Sequence, residues 1–386
     1  MNKNAMGSVI AVAAALSTQH ASAVDFKAGD WTVGVGGIVN AYYTQVSCTG
    51  TAVGGLALAD RGLGCGGKKD RSTVGNGLLP NGLVASAGSN LGGYDVKAVV
   101  AIYSATATDS AVAQNSTVDV RQAYFTFGNN DMGTVKLGRD LGIFGSNAIL
   151  GDMTLLGAGL PVQATQRGRV TLGHIGAGYS YMGYYGQIAY SAPKSAGIGI
   201  DVALVSPVAD TPVIAASKYS AGTAPQVQAQ LSWSGSGAKV WLGAKTQKFE
   251  ALAAGSRDLT MSALELGVSY ADGPFGMLAN VQGGKAIGIL SDADQGDVRG
   301  RNYFVQGTYK ATDKMKLGLG YGVSRNSDNA VGTGGLKQNA NLTLGAYYSL
   351  NSAITLVGEV GQSRSKAFSG GEAKMNGASL GGIIFF

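Results

Sequence analysis

The side chains best placed to do chemistry in this sequence are six charged residues between positions 136 and 169. They are Lys136, Arg139, Asp140, Asp152, Arg167 and Arg169. Basic groups outnumber acids in this set by four to two. A catalytic serine, histidine and aspartate set is not credible, because His174 is the only histidine beyond the N-terminal segment. Charged groups gathered in one segment attract ions of opposite sign, so we expect these residues to act through their charge and expect no enzyme activity.

Motifs for cofactors, metals and nucleic acids are weak in this chain. The segment 62–67 has the spacing G-x-G-x-x-G, but it follows no strand–helix–strand unit. Acidic residues are too scattered for a calcium loop, and no basic stripe is interleaved with aromatic residues. The charged run 68–71 is typical of a solvated loop or of contact with anionic lipid. We therefore expect no cofactor, no metal site and no nucleic-acid partner.

Two cysteines, Cys48 and Cys65, lie in one glycine-rich segment after the first candidate strand. An even pair in one loop of an exported protein predicts a disulfide. The alternative is two unpaired loop thiols. Metal binding is disfavoured, because no histidine lies near either cysteine.

The N-terminal segment predicts export. Lys3 provides a basic start, 9–16 is a short apolar run, and 21–23 is a small-x-small cleavage site. The apolar run is too short to span a bilayer, and a buried N-terminal helix is the alternative. We expect 1–23 to be removed as a signal peptide, which leaves 24–386 as one domain.

The overall composition favours a β-protein in contact with lipid. Glycine makes up 62 of 386 residues, and charged residues make up 13%, against about 25% in ordinary soluble domains. The low charge argues against helical bundles and disordered chains, and no Gly-X-Y repeat indicates collagen. The longest stretch without charge, 170–193, is rich in Gly, Ser, Tyr and Gln and is no apolar helix. A membrane β-barrel has this composition, because each strand meets lipid on one face and water on the other.

Alternation of apolar and polar residues with a period of two is the strongest structural signal. In 315–324, Met, Leu, Leu, Tyr and Val alternate with Lys, Gly, Gly, Gly and Ser. About sixteen such segments occur, and an even number of tilted strands is typical of bacterial membrane barrels. The predicted strands are 31–43, 82–89, 94–104, 118–127, 134–140, 179–191, 197–205, 226–233, 238–247, 259–271, 275–286, 301–310, 314–325, 338–349, 353–363 and 376–386.

Short and long connections alternate between these strands. This predicts an all-β, antiparallel up-and-down barrel across the membrane, with short periplasmic turns and long external loops. Eight aromatic residues at the predicted periplasmic strand ends share the outward face, where membrane barrels carry an aromatic girdle. These are Trp31, Tyr94, Phe127, Trp233, Tyr270, Tyr309, Tyr348 and Phe386.

The opposite face of each predicted strand would line a water channel, since a barrel of this size is too wide to fill. Five lysines and five acids fall on this face away from the strand ends, so their charges balance. They are Lys97, Lys136, Lys239, Lys245 and Lys316, with Asp95, Asp140, Asp201, Glu265 and Glu359. Simple alternation would place Arg139 in lipid, which costs about 2–4 kcal/mol at mid-bilayer and less near the interface. We therefore expect the strand to end or twist at Arg139.

Four segments carry a resemblance to a known family. They are 121–127 (RQAYFTF), 133–140 (GTVKLGRD), 345–350 (GAYYSL) and the C-terminal 380–386 (LGGIIFF). These segments resemble the general, non-specific trimeric porins of Gram-negative bacteria, most closely the β-proteobacterial type. The resemblance implies a sixteen-stranded barrel, a homotrimer and a long third external loop, about 141–166, folded into the lumen.

The resemblance also implies a charged constriction. Arg139 matches an arginine that faces the constriction in such porins, and Arg169 matches the basic start of the next strand. Asp152 is the only acid on the third loop. Together with Arg167, the basic groups outweigh this single acid, which predicts a weak preference for anions.

These inferences predict a general diffusion porin of the outer membrane that passes small hydrophilic solutes and ions. A substrate-specific outer-membrane channel for a small anionic solute is the alternative, and an outer-membrane enzyme or adhesin is a third class. The inward aromatic residues, such as Trp241, do not line up into a track for sugars. The expected partners are two further copies of the chain, outer-membrane lipid and lipopolysaccharide.

Overall fold

The computed structural model describes residues 24–106, 118–159, 170–210, 218–253 and 255–386. These residues form a closed antiparallel barrel whose wall has sixteen strands, so the predicted fold class is confirmed. The segment 1–23 lies outside the described residues, and its assignment as a signal peptide stays a prediction.

No helix in the described part of the chain is long and apolar enough to cross a membrane.

The wall strands follow one another around the barrel in chain order, and three short strands lie on their edges. The strands are β1 (Val24–Ala28), β2 (Trp31–Gly50), β3 (Asp70–Gly75), β4 (Asn81–Leu91), β5 (Tyr94–Ser104), β6 (Asp119–Asn129), β7 (Gly133–Leu141), β8 (Tyr184–Ser191), β9 (Ile198–Val205), β10 (Tyr219–Ala221), β11 (Gln226–Gly235), β12 (Ala238–Ala251), β13 (Leu259–Asp272), β14 (Phe275–Lys285), β15 (Arg299–Lys310), β16 (Met315–Asn326), β17 (Leu336–Ser349), β18 (Ile354–Ala367) and β19 (Glu372–Phe385). The helices are α1 (Arg61–Gly64) and α2 (Ser146–Gly151), with 3₁₀ turns at Met153–Leu156 and Val331–Thr333. The short strands β1, β3 and β10 pair with the edges of β2 and β12.

The last strand closes the barrel by pairing with β2. Leu380 lies opposite Tyr43 in this antiparallel ladder. Beyond it, Gly37 N donates to Phe386 O at 2.7 Å, and Phe386 N donates to Gly37 O at 3.1 Å. The short β1 continues the same edge of β2. Within the described residues the closed ladder pairs every wall strand on both sides, as a barrel in lipid requires.

The wall is apolar outside and polar inside, the reverse of a water-soluble protein. On β13, Leu264 and Leu266 point outward and are 62% and 57% exposed, whereas Glu265 between them is 1% exposed. Lipid would contact the outward leucines, so their exposure in the isolated chain carries no penalty in a membrane. The inward polar side chains are buried because loops fill much of the lumen.

All sixteen predicted segments are strands, but five predicted ends are wrong by four residues or more. β12 and β18 each end four residues later than predicted, and β19 begins four residues earlier. The two largest differences are at β2 and β8. β2 runs to Gly50 rather than to 43. Beyond Tyr43 the alternation reverses, because Val46 and Cys48 point inward onto a buried cluster while the outward residues become polar. β8 begins at Tyr184 rather than at 179, because the preceding residues belong to a loop inside the barrel.

In the described part of the chain, three connections fold into the lumen: 51–69, 142–159 with 170–183, and 286–298. We call 142–159 together with 170–183 the inner loop. Leu58, Tyr179 and Leu290, one from each connection, belong to a single buried apolar cluster. The expected third loop inside the barrel is confirmed for 142–159, and 170–183, beyond the expected end at 166, also lies inside. The inward course of the other two connections was not predicted.

The two cysteines form the predicted disulfide. Cys48 and Cys65 are bonded, with their Cα atoms 6.2 Å apart. Cys48 lies in β2, however, and not in the loop as the sequence suggested. The bond ties the segment 51–69, which packs inside the barrel, to the wall.

Replacing both cysteines, as Cys48→Ser with Cys65→Ser, should destabilise the barrel by roughly 3 kcal/mol in the chain-entropy model. Guanidinium unfolding of the detergent-solubilised protein should show a lower midpoint for the variant. The wild type should shift to the same midpoint when a reductant is added. Equal midpoints for the oxidised wild type and the variant would contradict a stabilising role.

Candidate functional site

The helix α2 separates a packed side of the lumen from an open side. Its Ala148 and Ile149 are buried on the side that contacts β13 and β14. Ser146, Asn147 and Leu150 occupy the other side and line a cavity. Residues three or four apart share one face of a helix, so α2 is a partition with one apolar and one mixed face.

The start of the inner loop is held by polar side chains of the wall. Gln228 Oε1 accepts a hydrogen bond from Ile143 N at 2.7 Å. Glu265 Oε2 accepts from Gly145 N at 2.7 Å, and its other oxygen accepts from Trp241 Nε1 at 3.0 Å. These acceptors satisfy backbone donors that have no strand partner inside the barrel.

A second carboxylate holds the middle of the inner loop. Glu359 Oε2 accepts from Ala158 N at 2.8 Å and from Gly159 N at 2.7 Å. Its Oε1 accepts from the hydroxyl of Tyr347 at 2.7 Å. Glu359 is buried, so its charge is committed to the loop and does not face the water path.

Asp152 ties two parts of the inner loop to each other. Its Oδ2 lies 2.9 Å from His174 Nδ1 and accepts from the Tyr179 hydroxyl at 2.6 Å. Its Oδ1 accepts from Thr154 N at 2.9 Å. Burial by itself would raise the pKa of Asp152, but His174, Tyr179 and the Thr154 amide together hold that pKa below its ordinary value. The carboxylate therefore stays ionised through mild acid and loses its stabilising contacts only below the usual aspartate range.

Glycines on the inner face of β16 let the inner loop lie directly against the wall. A Cβ at Gly320 would come within 2.9 Å of His174 Cε1, and one at Gly322 within 2.0 Å of Ala177 O. Real side chains do not tolerate such distances, so a larger residue would push the loop off the wall. The alternating glycines that marked this strand in the sequence are therefore places where the loop approaches.

The open side of the lumen is a cavity of about 540 Å³ between α2 and the inner faces of β2, β4 to β9, β11 and β12. Within the described part of the chain, four lysines and three aspartates line it. They are Lys97, Lys136, Lys194 and Lys239, with Asp25, Asp140 and Asp201. This cavity is where a solute would contact charge.

The lining charges are partly paired. Lys136 forms an ion pair with Asp140, and Gln122 Nε2 also donates to Asp140 at 2.8 Å. Lys239 donates to the side-chain oxygen of Asn147. Lys97 and Lys194 form no ion pair within the described residues.

The structure brings only part of the predicted constriction together. Lys136 and Asp140 line the cavity, whereas Asp152 is enclosed in the inner loop. Arg139 is exposed and keeps the alternation of its strand, in register with Ala123 and Gly186 on the outer face.

The expected inward turn of Arg139 is therefore wrong. Arg139 is third from the end of β7, near the membrane boundary, where an outward charge costs little. Arg167 and Arg169 lie outside the described residues.

The alternation of inward and outward residues located the charges that face the lumen, but it did not show which of them contact water. Glu265 and Glu359 were counted against the lysines, yet both are buried under the inner loop. Lys245 contributes no free charge to the water path either, because its Nζ pairs with Asp292 at 2.5 Å. Lys194 was missed because it lies in the turn between two strands and folds inward over Gly199.

Comparisons with known proteins agree with this architecture. The family model described as Gram-negative porin matches residues 8–367. No curated protein sequence matches the chain significantly.

Among solved structures, the outer membrane channel DcaP of Acinetobacter baumannii is similar at 17% identity and a TM-score of 0.68, over 94% of this chain and 99% of that chain. An anion-selective porin from Comamonas acidovorans is 17% identical, with a TM-score of 0.65, over 92% of this chain and 100% of that chain. OmpF of Salmonella typhi is 12% identical, with a TM-score of 0.61, over 93% of this chain and 100% of that chain. At these identities the likenesses show the fold.

Asp152→Ala should loosen the inner loop, because it leaves the Tyr179 hydroxyl and His174 buried without their acceptor. We expect a loss of roughly 3–5 kcal/mol, as for other broken buried pairs, and larger current fluctuations in single-channel recordings. Asp131→Ala, in an exposed turn, is the matched control and should change neither.

The same contacts predict that acidification from pH 7 to pH 5 does not increase the current fluctuations of the wild-type channel, since Asp152 stays ionised over this range. Unfolding measurements and single-channel recordings at both pH values test this. Wild-type noise that rises to the Asp152→Ala level at pH 5 would contradict the assignment.

Proposed function

Because this chain belongs to the Gram-negative porin family, it is an outer-membrane diffusion channel, and we propose that it passes small hydrophilic solutes and ions with a weak preference for anions. The observation that carries this preference is the lining of the open cavity. Four lysines and three aspartates of the described residues face it, whereas Glu265 and Glu359, which would reverse the charge balance, hold the inner loop.

The charge balance of the whole lumen differs from that of the water path. Glu265 and Glu359 accept backbone hydrogen bonds, and Lys245 is neutralised by Asp292. Among the charged side chains of the described residues, the lining thus keeps an excess of one positive charge, from four lysines less three aspartates. In a confined channel with low-dielectric walls, even a small excess raises the local anion concentration.

The preference is weak because the lining charges are interspersed. Lys136 is paired with Asp140, which leaves Lys97, Lys194 and Lys239 as the lining lysines that form no ion pair within the described residues. Their field is screened beyond about 10 Å at 0.1 M salt, so the preference should fade as salt rises. Arg167 and Arg169 would add to it if they face the same path, and this stays a prediction.

We further propose that the chain is exported by cleavage of 1–23 and assembles as a homotrimer in contact with outer-membrane lipid and lipopolysaccharide. The small outward residues Ala41 and Gly382, which are in register across the closing seam of the barrel, support close contact between copies. The porin family and the lipid-facing leucines support the membrane setting.

Replacing Lys97 and Lys194 by glutamine should change the lining from four lysines against three aspartates to two against three. The zero-current potential in a KCl gradient across a planar bilayer should then move from the chloride side to the potassium side. The shift should be larger at 0.1 M than at 1 M salt, because salt screens the lining.

Lys314→Gln is the matched control, since Lys314 lies in an exposed periplasmic turn. It should leave the zero-current potential at the wild-type value. A double variant with unchanged selectivity, or a wild type that prefers potassium, would refute the proposed basis of selection.

A further inference from the structure

The open cavity joins an apolar surface to a cationic one within a single helical turn. Leu150 and Asn147 are three residues apart on α2 and line the cavity together, which places their Cβ atoms about 5–6 Å apart. The Asn147 side chain accepts a hydrogen bond from the ammonium group of Lys239. A solute that lies along this face therefore meets a leucine and a lysine side by side.

The wall on the opposite side of the cavity also combines apolar and cationic surface. Ile38, Val99 and Tyr103 contribute apolar surface to the lining. Lys136 holds its ammonium group 5.2 Å from the centroid of the Tyr124 ring, so one wall presents an aromatic ring beside a positive charge. Lys97 lines the same cavity and forms no ion pair within the described residues.

We propose that this cavity is a binding site for small aromatic carboxylates. The ring lies between Leu150 and the apolar wall, and the carboxylate lies toward Lys97 and Lys239. The volume of about 540 Å³ falls within the range of small-molecule sites, which pair apolar walls with a few polar groups. This inference deepens the proposed function, because it rests on the same lysines and names the solute class they favour.

Other solute classes use less of the lining. A chloride or phosphate ion gains nothing from Leu150 or the apolar wall, and a neutral aromatic molecule gains nothing from the lysines. An aromatic cation would meet an excess of positive charge. Of these classes, the aromatic carboxylate is the one that contacts both the apolar surface and the lysines at once.

Block of the ion current measures this binding directly. Benzoate, acetate and benzyl alcohol would each be titrated against single wild-type channels reconstituted in a planar bilayer. We expect benzoate to reduce the current at a concentration about tenfold below that of acetate, because its ring buries apolar area that acetate lacks. Benzyl alcohol, which carries the ring without the charge, should not block in the same range.

Two variants separate the surfaces. Leu150→Asn should bring the half-blocking concentration of benzoate close to that of acetate, whereas Lys97→Gln should weaken block by both anions. Leu350→Asn, in an exposed periplasmic turn, is the matched control and should keep the wild-type difference. Equal block by benzoate and acetate in the wild type, or an unchanged tenfold difference in Leu150→Asn, overturns the proposal.

The zero-current potential of the wild type without benzoate reports the proposed anion preference separately. If the channel prefers chloride but is blocked equally by benzoate and acetate, the proposed function stands and the aromatic site is refuted. If it prefers potassium but is blocked by benzoate as described, the aromatic site stands and the proposed anion preference is refuted.

Discussion

The structure depends on one constraint: a loop that enters a barrel must find acceptors there for its backbone N–H groups. Strands satisfy one another around the wall, but the inner loop has no strand partner, and an unpaired buried donor is costly. This chain supplies carboxylates for the purpose. Glu265 accepts from Gly145, Glu359 accepts from Ala158 and Gly159, and each carboxylate is buried by the loop it holds.

The charge of the pore follows from that use of acids. A carboxylate that accepts loop hydrogen bonds is removed from the water path. Of the acids that the structure describes, Asp25, Asp140 and Asp201 remain beside the lysines. The packed side of the lumen is completed by the disulfide-tied segment 51–69 and by 286–298, whose Asp292 neutralises Lys245. What stays open is the cavity beside α2, where lysines outnumber aspartates among the described residues.

The architecture could be predicted from the sequence because the period of two is a local property. Every wall strand is visible in the alternation, and Cys48 and Cys65 could be paired from their spacing and compartment. The extension of β2 could not be seen, because Val46 and Cys48 reverse the phase to pack on a loop. Inward folding of 286–298 was also hidden, since a long connection does not reveal its direction.

The site was harder to predict because it depends on contacts between residues far apart in sequence. The period of two placed Glu265 and Glu359 on the lumen face, yet it could not show that 142–159 would cover them. Arg139 was expected to turn inward to avoid lipid, but its place near the end of β7 removes most of that cost. The alternating glycines of β16 were a usable signal, since inward glycines next to a long loop indicate close approach.

The most direct test of this account compares two sets of variants by their zero-current potential in a KCl gradient. One set neutralises the acids that hold the inner loop, and the other neutralises an acid that lines the open cavity. Glu265→Gln with Glu359→Gln keeps an acceptor oxygen for the loop and removes charge that the account places away from the water path. Asp201→Asn removes charge from the lining. The account predicts that the glutamate pair leaves the potential at its wild-type value, whereas Asp201→Asn moves it further toward chloride. A glutamate variant that shifts the potential as far as Asp201→Asn would contradict it.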